Sequence, residues 1–271
     1  LIEPIKGKLN TTKLIVVPHG VLHDLPFAAL TPNGKSYLND RYTISYLPSV
    51  SILPYVQSRA KPGNSKILVL ANNQEDGVPQ LNYAYEEAIW IASLFGTRPL
   101  LGAEATPSAL REKINEADII HLIAHFDFDP KNPLSTRVLV GHDKEHEEPL
   151  DIGYIASLDL RHTSLVVLSA CQTHLGKRSR GDDVIGLSRA FIYAGSPSVI
   201  ASLWSVDDDA TEKLMIAFYT HLKEGLGRAE SLRIAQADIR RQFPHPYYWA
   251  GFVLTGDPGE SNNLLQARTM K

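Results

Sequence analysis

Two residues of this sequence stand out for chemistry, His125 and Cys171, 46 positions apart. His125 closes the run "DIIHLIAH" (118–125), and Cys171, the only cysteine in 271 residues, follows "SLVVLSA" (164–170). A free thiol has a pKa of ~8.5 and is mostly protonated at neutral pH; a neighbouring imidazole lowers it or takes the proton as attack proceeds. The imidazole then returns a proton to the leaving amine, and a nearby backbone N–H, such as that of Cys171, stabilises the oxyanion. A Cys–His pair therefore supplies nucleophile, base and acid for cutting an acyl bond.

Each residue also has a plainer reading. A lone cysteine behind an apolar strand is commonly inert core filling, and a lone histidine at a strand end is commonly structural. His121 and His125 share a strand face and could be imagined as metal ligands, but no third ligand stands out. His121, inside "IIHLI", is expected to be buried and structural, satisfied by backbone or a buried polar group. His142 and His146 in "HDKEHEE" (142–148) sit in a charged surface loop, and "RGDDV" (180–184) most simply caps a helix. No metal and no cofactor are expected. From residue types and spacing alone, the catalytic pair is one option among several.

The elements that must position these residues alternate in type. "KLIVVP" (13–18) and the pair "KSYLND"/"RYTISYLP" (35–48), turning at Asn39–Asp40, are expected as short strands. After the punctuation "KPGNS" (61–65) comes a buried strand, "KILVLANN" (66–73), then the helix "YEEAIWIASLF" (85–95), with Ala88, Ile91, Leu94 and Phe95 at helical spacing. Thr106 and Pro107 form a start signal for a helix over 105–117. "DIIHLIAH", "SLVVLSA" and "SVIASLW" (198–204) are three further buried strands. Helices are expected over 182–195, with Gly195 as the stop, and over 208–225. There is no internal repeat and no low-complexity run.

Apolar rather than alternating strands, interleaved with helices, imply an α/β fold: a mostly parallel sheet with helices on both faces. Ligands in such folds gather beyond the carboxyl ends of the strands. His125 and Cys171 both sit at such ends, and adjacent parallel strands finishing at one edge would bring them together.

Composition narrows the function classes. Basic and acidic residues nearly balance, 27 against 30, so no basic stripe marks a nucleic-acid or membrane binder. A single cysteine allows no internal disulfide and no multi-cysteine zinc site, which suits a reducing, cytoplasmic compartment. The apolar runs fall far short of the ~20 residues that span a bilayer. The N-terminus lacks a signal-peptide pattern, and it begins at Leu1 rather than Met, as a piece of a longer protein would.

Several linked segments in order resemble the CHAT domain, a caspase-like peptidase domain related to separase and often fused to tetratricopeptide repeats. They are "LIVVPHGVLHDLPFAAL" (14–30), "ADIIHLIAH" (117–125), "LVVLSACQTHLG" (165–176), "GLSRAFIYAGSPSVIASLWSVDDDAT" (186–211), "AFYTHL" (217–222) and "HPYYWAGFVLTGDP" (245–258). The His-to-Cys step also suits the caspase arrangement, with the histidine ~50 residues before the cysteine. The resemblance implies a caspase-like fold with His125, the second histidine of H-x-x-x-H, as catalytic base and Cys171 as nucleophile. It implies oxyanion donors at the amides of Cys171 and of the residue after His125. Where the family often has glycine, that residue is Phe126. A phenylalanine still offers an N–H but not the backbone freedom of glycine, and the hole is expected to survive.

Separases, which cleave after arginine, carry a related "LW-x-V-x-D" segment, here "LWSVDDD" (203–209). The resemblance implies a first specificity pocket lined by Asp208, with Asp207 beside it, and a preference for a basic residue. Asp127 and Asp129 are rivals, and an Asp cluster is also what a helix N-terminus favours. The expected protein is thus a cysteine endopeptidase acting on a polypeptide, the protease part of a larger chain with a tetratricopeptide-repeat region. Residues 1–62 are expected as accessory strands and 63–271 as the peptidase domain. Two other classes stay open, a catalytically silent interaction module and a Cys-dependent amidase or acyltransferase.

Overall fold

The computed structural model describes residues 1–32, 34–59, 66–73, 80–127, 132–142, 149–169 and 181–260. Its strands are β1 (Lys13–Val16), β2 (Thr43–Tyr46), β3 (Ile67–Ala71), β4 (Leu100–Leu101), β5 (Ile119–Ile123), β6 (His125–Asp127), β7 (Arg137–Leu139), β8 (Leu150–Asp151), β9 (Leu165–Ser169), β10 (Ser198–Ser202) and β11 (Phe252–Gly256). Its helices are α1 (Leu53–Ser58), α2 (Ala84–Leu94), α3 (Pro107–Lys113), α4 (Ile152–Ser157), α5 (Gly181–Ala194), α6 (Asp208–Lys223), α7 (Arg228–Ile239) and α8 (Pro246–Trp249). The main sheet runs β1-β2-β11-β10-β9-β5-β3-β4 and is mostly parallel. Its one antiparallel junction among the described residues is β10 with β11. A small antiparallel sheet, β6-β7-β8, stands beside it.

Burial on both faces explains the continuous apolar strands. In β3, β5 and β9, Ile67, Val69, Ile119, Ile123, Leu165 and Val167 point to a core completed by α2, α6 and α7. The alternate residues Leu68, Leu70, Ile120, Leu122, Val166 and Leu168 point to a second core under α1, α3, α4 and α5. The helix signals act as expected. Thr106 Oγ1 accepts the Ala109 N–H at 3.1 Å with Pro107 in the first turn. α5 ends at Gly195, whose φ of +126° is open to glycine and which lies so close to Arg161 N that a Cβ would sit 2.9 Å away.

Two local expectations fail. Residues 38–40 form a 3-10 turn rather than the end of a strand, because the Asp40 carboxylate accepts the Tyr37 N–H at 2.8 Å and closes the segment on itself. His125 does not finish β5, which stops at Ile123; it opens β6, opposite Leu139 of β7. At the far edge, β1 and β2 extend the main sheet through the pairing of Tyr46 with Thr255 of β11. No described helix is long and apolar enough to cross a membrane.

Candidate active site at the carboxyl edge of the sheet

β3, β5, β9 and β10 are parallel neighbours, so their carboxyl ends share one edge. β5 and β9 are paired through Ile123 and Ser169. His125 lies two residues beyond Ile123 and is only 5% exposed. Cys171, two residues beyond Ser169 in the chain, lies outside the described residues, as does Asp129.

Phe126 takes no left-handed conformation, since no described non-glycine residue has a positive φ. It continues as β6 opposite Val138, with its ring buried among Val138, Leu150 and neighbours in the second core. The backbone here has no need of the glycine often found at this position.

The three aspartates after β10 have separate tasks. Asp207 is the N-cap of α6: its Oδ1 accepts the Ala210 N–H at 3.0 Å, and its carbonyl accepts the Thr211 N–H and hydroxyl. Asp209 pairs with Lys213 one turn on. Asp208 is half-buried, and its Oδ2 accepts the N–H of Tyr83, the residue that precedes α2, at 3.0 Å. Burial pushes the Asp208 carboxyl above its ordinary pKa; the N–H groups of Tyr83 and Asn82 pull it down, Asp207 raises it and His125 lowers it. Asp127 is engaged by Arg137, whose Nε and Nη2 donate to Oδ2 at 3.1 and 2.9 Å.

The segment between β10 and α6 is clamped to α8. Trp204 Nε1–H donates to the Tyr247 carbonyl at 3.0 Å, and the Tyr247 hydroxyl donates to the Ser205 carbonyl at 2.8 Å. Gly251 lies beneath the indole, where a Cβ would come within 3.0 Å of Trp204 Cε2. The "LWSVDDD" and "YYWAGF" segments thus form one packed unit.

His121 is fully buried on the α2 and α6 side of β5. Its Nε2 lies 2.9 Å from Glu87 Oε1 and its Nδ1 3.0 Å from the Tyr219 hydroxyl, with the tyrosine ring edge-on at 5.3 Å. Burial, aided by Glu87, holds the Tyr219 phenol far above its ordinary pKa. The phenol keeps its proton and donates it to Nδ1, leaving Nε2–H to donate to Glu87. Sequence reasoning missed Glu87 and Tyr219. The available signal was Glu87 itself, a carboxyl on the stripe that Ala84, Ala88 and Ile91 trace along α2. Among the described residues no cluster of three His, Cys, Asp or Glu side chains could hold a metal.

A family model for the CHAT domain matches residues 1–257. The chain belongs to the CHAT domain family. It is 28% identical, over 97% of its length, to tetratricopeptide repeat protein 28 of Mus musculus, and likewise to that of Homo sapiens. It spans only 13% of the length of each. Among solved structures, the CHAT fold seen here resembles the Arg-specific cysteine proteinase gingipain R, with a TM-score of 0.66 and 11% identity over 96% of this chain and 67% of that one. It also resembles a Saccharomyces cerevisiae separase–securin complex, with a TM-score of 0.57 and 14% identity over 86% of this chain and 15% of that one. At these identities the likeness is one of fold, and it places this CHAT domain among caspase-like architectures.

Proposed function

We propose that this chain is a cysteine endopeptidase domain in which Cys171 is the nucleophile and His125 the base and acid. The observation that carries the reading is the register of β5 on β9: His125 and Cys171 each follow, by two residues, the partners Ile123 and Ser169. Ala124 and Phe126 lie in the second core, so alternation turns His125 toward the opposite face.

In the reaction, His125 takes the thiol proton as Sγ bonds to the scissile carbonyl carbon. The oxyanion is held by the amides of Cys171 and Phe126. As the C–N bond breaks, His125 gives its proton to the departing amine, leaving a thioester. Water, deprotonated by His125, attacks the thioester; the acid product leaves and the thiol regains its proton.

Asp208, with Asp207 beside it, lines the pocket for the residue before the scissile bond. A half-buried carboxylate that burial disfavours gains from a guanidinium or ammonium group, which selects Arg or Lys. Residues 1–62 serve as an accessory edge to the peptidase part, 63–271. The domain works in the cytoplasm as the protease of a larger tetratricopeptide-repeat protein, on a polypeptide substrate and without a cofactor. The test is peptide-library cleavage by wild type and His125→Ala. The reading predicts cleavage after basic residues by wild type alone; absence of wild-type cleavage, or cleavage retained in His125→Ala, contradicts it.

A further inference from the structure

β1 ends the main sheet and, among the described strands, pairs only with β2. The N–H groups of Thr43 and Leu47 donate to the carbonyls of Thr12 and Val16, so the even-numbered residues of this stretch turn their backbone groups toward β2. By the two-residue alternation of a strand, Ile15 and Val17 turn theirs away. Those outward groups make no hydrogen bond among the described residues. Leu14 and Val16 pack against the first core, which leaves Ile15 and Val17 44% and 40% exposed. An edge of this kind is a template for another strand, and proteins ordinarily blunt it with charge, proline or brevity. The opposite edge is blunted, since β4 has two residues; β1 has only Lys13 at its start.

Lys13 also lines a cleft of about 420 Å³ between the start of β1 and α7, together with Arg41, Thr43, Glu230 and Arg233. The carboxylates there are engaged, Glu230 by Arg233 and the Thr43 hydroxyl, and Asp40 by Arg240. Lys13 adds only a weaker through-space attraction to Glu230, and Arg41 lies over the Tyr42 ring. Neither of these exposed cations makes an ion pair among the described residues. A strand that matches this edge therefore sets β-branched side chains beside Ile15 and Val17 and carboxylates beside Lys13 and Arg41. A second copy of the chain does not supply it: no acidic residue lies between Glu3 and Asp24, and self-pairing gathers more of the same cations.

We propose that β1 is a docking edge for a partner polypeptide, which adds an extended β-branched segment as a ninth strand and seats acidic residues at Lys13 and Arg41. Backbone pairing supplies affinity, and the alternate side chains and charged end supply selection. Three strands separate β1 from β9, so this edge is distinct from the peptide-cleaving site and stands independently of that reading.

The probe is an acetylated peptide, Glu-Glu-Thr-Val-Thr-Val-Thr, followed by amide exchange and by titration of nitrogen–proton spectra of the chain. Before addition, the Ile15 and Val17 amides should exchange freely while those of Leu14 and Val16 are protected; the probe should protect Ile15 and Val17. Ile15→Pro deletes one outward N–H, a change that an edge strand tolerates on its solvent side. It should weaken the probe by about tenfold or more, the worth of a backbone hydrogen bond whose partner is left stranded. A probe N-methylated at the residues facing β1 makes the same test on wild type if that variant fails to fold. Lys13→Glu combined with Arg41→Glu should favour a Lys-Lys probe over the Glu-Glu probe by on the order of tenfold. Absence of protection at Ile15 and Val17 with the probe in large excess overturns the proposal. So does binding that is indifferent to the loss of the N–H or to the sign of the probe's charge. A concentration-dependent dimer that itself protects Ile15 and Val17 assigns the edge to a second copy and refutes the proposal equally.

Discussion

Replacing His121 separates support from chemistry at this site. The ring links α2, β5 and α6 through Glu87 and Tyr219, and all three side chains are essentially inaccessible to solvent. In His121→Leu the buried Glu87 carboxyl group loses the N–H donor that its oxygen accepts, leaving an unsatisfied polar group in the core at ~1–3 kcal/mol or more. The Tyr219 hydroxyl is stranded as well, at ~1–3 kcal/mol. The two losses overlap, so about 4 kcal/mol is the expected total. At ~2–4 °C per kcal/mol for a chain of this size, Tm should drop by roughly 8–16 °C. His121→Gln keeps one donor and one acceptor and should cost about half as much. Urea and thermal unfolding measure both variants, and peptide turnover is read well below Tm. There His121→Gln should remain active, whereas His125→Ala should lose turnover with little change in Tm. The reasoning fails if His121→Leu melts within ~2 °C of wild type. It also fails if His121→Gln abolishes turnover as completely as His125→Ala at unchanged Tm.

Asp208→Ala should reduce the preference for Arg or Lys before the scissile bond by more than ~tenfold, whereas Asp207→Ala should chiefly cost the α6 cap, ~1 kcal/mol; a library profile unchanged in Asp208→Ala refutes the pocket. Arg228, 4% exposed, pairs with Asp257 at 3.0 Å across the start of α7 and the end of β11, so Asp257→Ala should cost ~3–5 kcal/mol by stranding a buried guanidinium. Arg228→Met combined with Asp257→Ala should cost less than the sum of the single changes, and strict additivity of urea midpoints would contradict this. Burial works against a charge on His221, yet its hydrogen bonds to Asp238 of α7 and to Glu224 outweigh burial and raise its pKa. That stability is fully present below the unfolded pKa of ~6.5 and is lost as pH rises through the higher folded value. His221→Gln should flatten this decline, and an unchanged slope of stability against pH would refute the link.

The parts of the fold visible in the sequence are those in which one local rule decides. β3, β5, β9 and β10 are buried on both faces, so they appear as unbroken apolar runs. Thr106–Pro107 and Gly195 mark helix ends by their own backbone chemistry. α7 escaped notice because its buried side includes Arg228, Ser231 and Gln236 beside small alanines, leaving little apolar contrast. The β6-β7-β8 sheet is made of strands of two or three residues, too short for a period to show. In the site, His125 was legible as the polar end of an apolar run. The contact of Asp208 with the Tyr83 N–H joins residues 125 positions apart, and the register that sets Leu139 opposite His125 is a property of pairing. Neither leaves a local trace.

Covalent capture of the thiol tests the central claim most directly. Folded wild type, Cys171→Ala and His125→Ala are each exposed to a peptide electrophile with arginine at the position before the reactive group, and adducts are read by intact mass and peptide mapping. The account predicts a single adduct on Cys171 in wild type, none in Cys171→Ala, and greatly slowed labelling in His125→Ala. A folded wild type whose Cys171 stays unmodified, or is modified equally fast without His125, would contradict it.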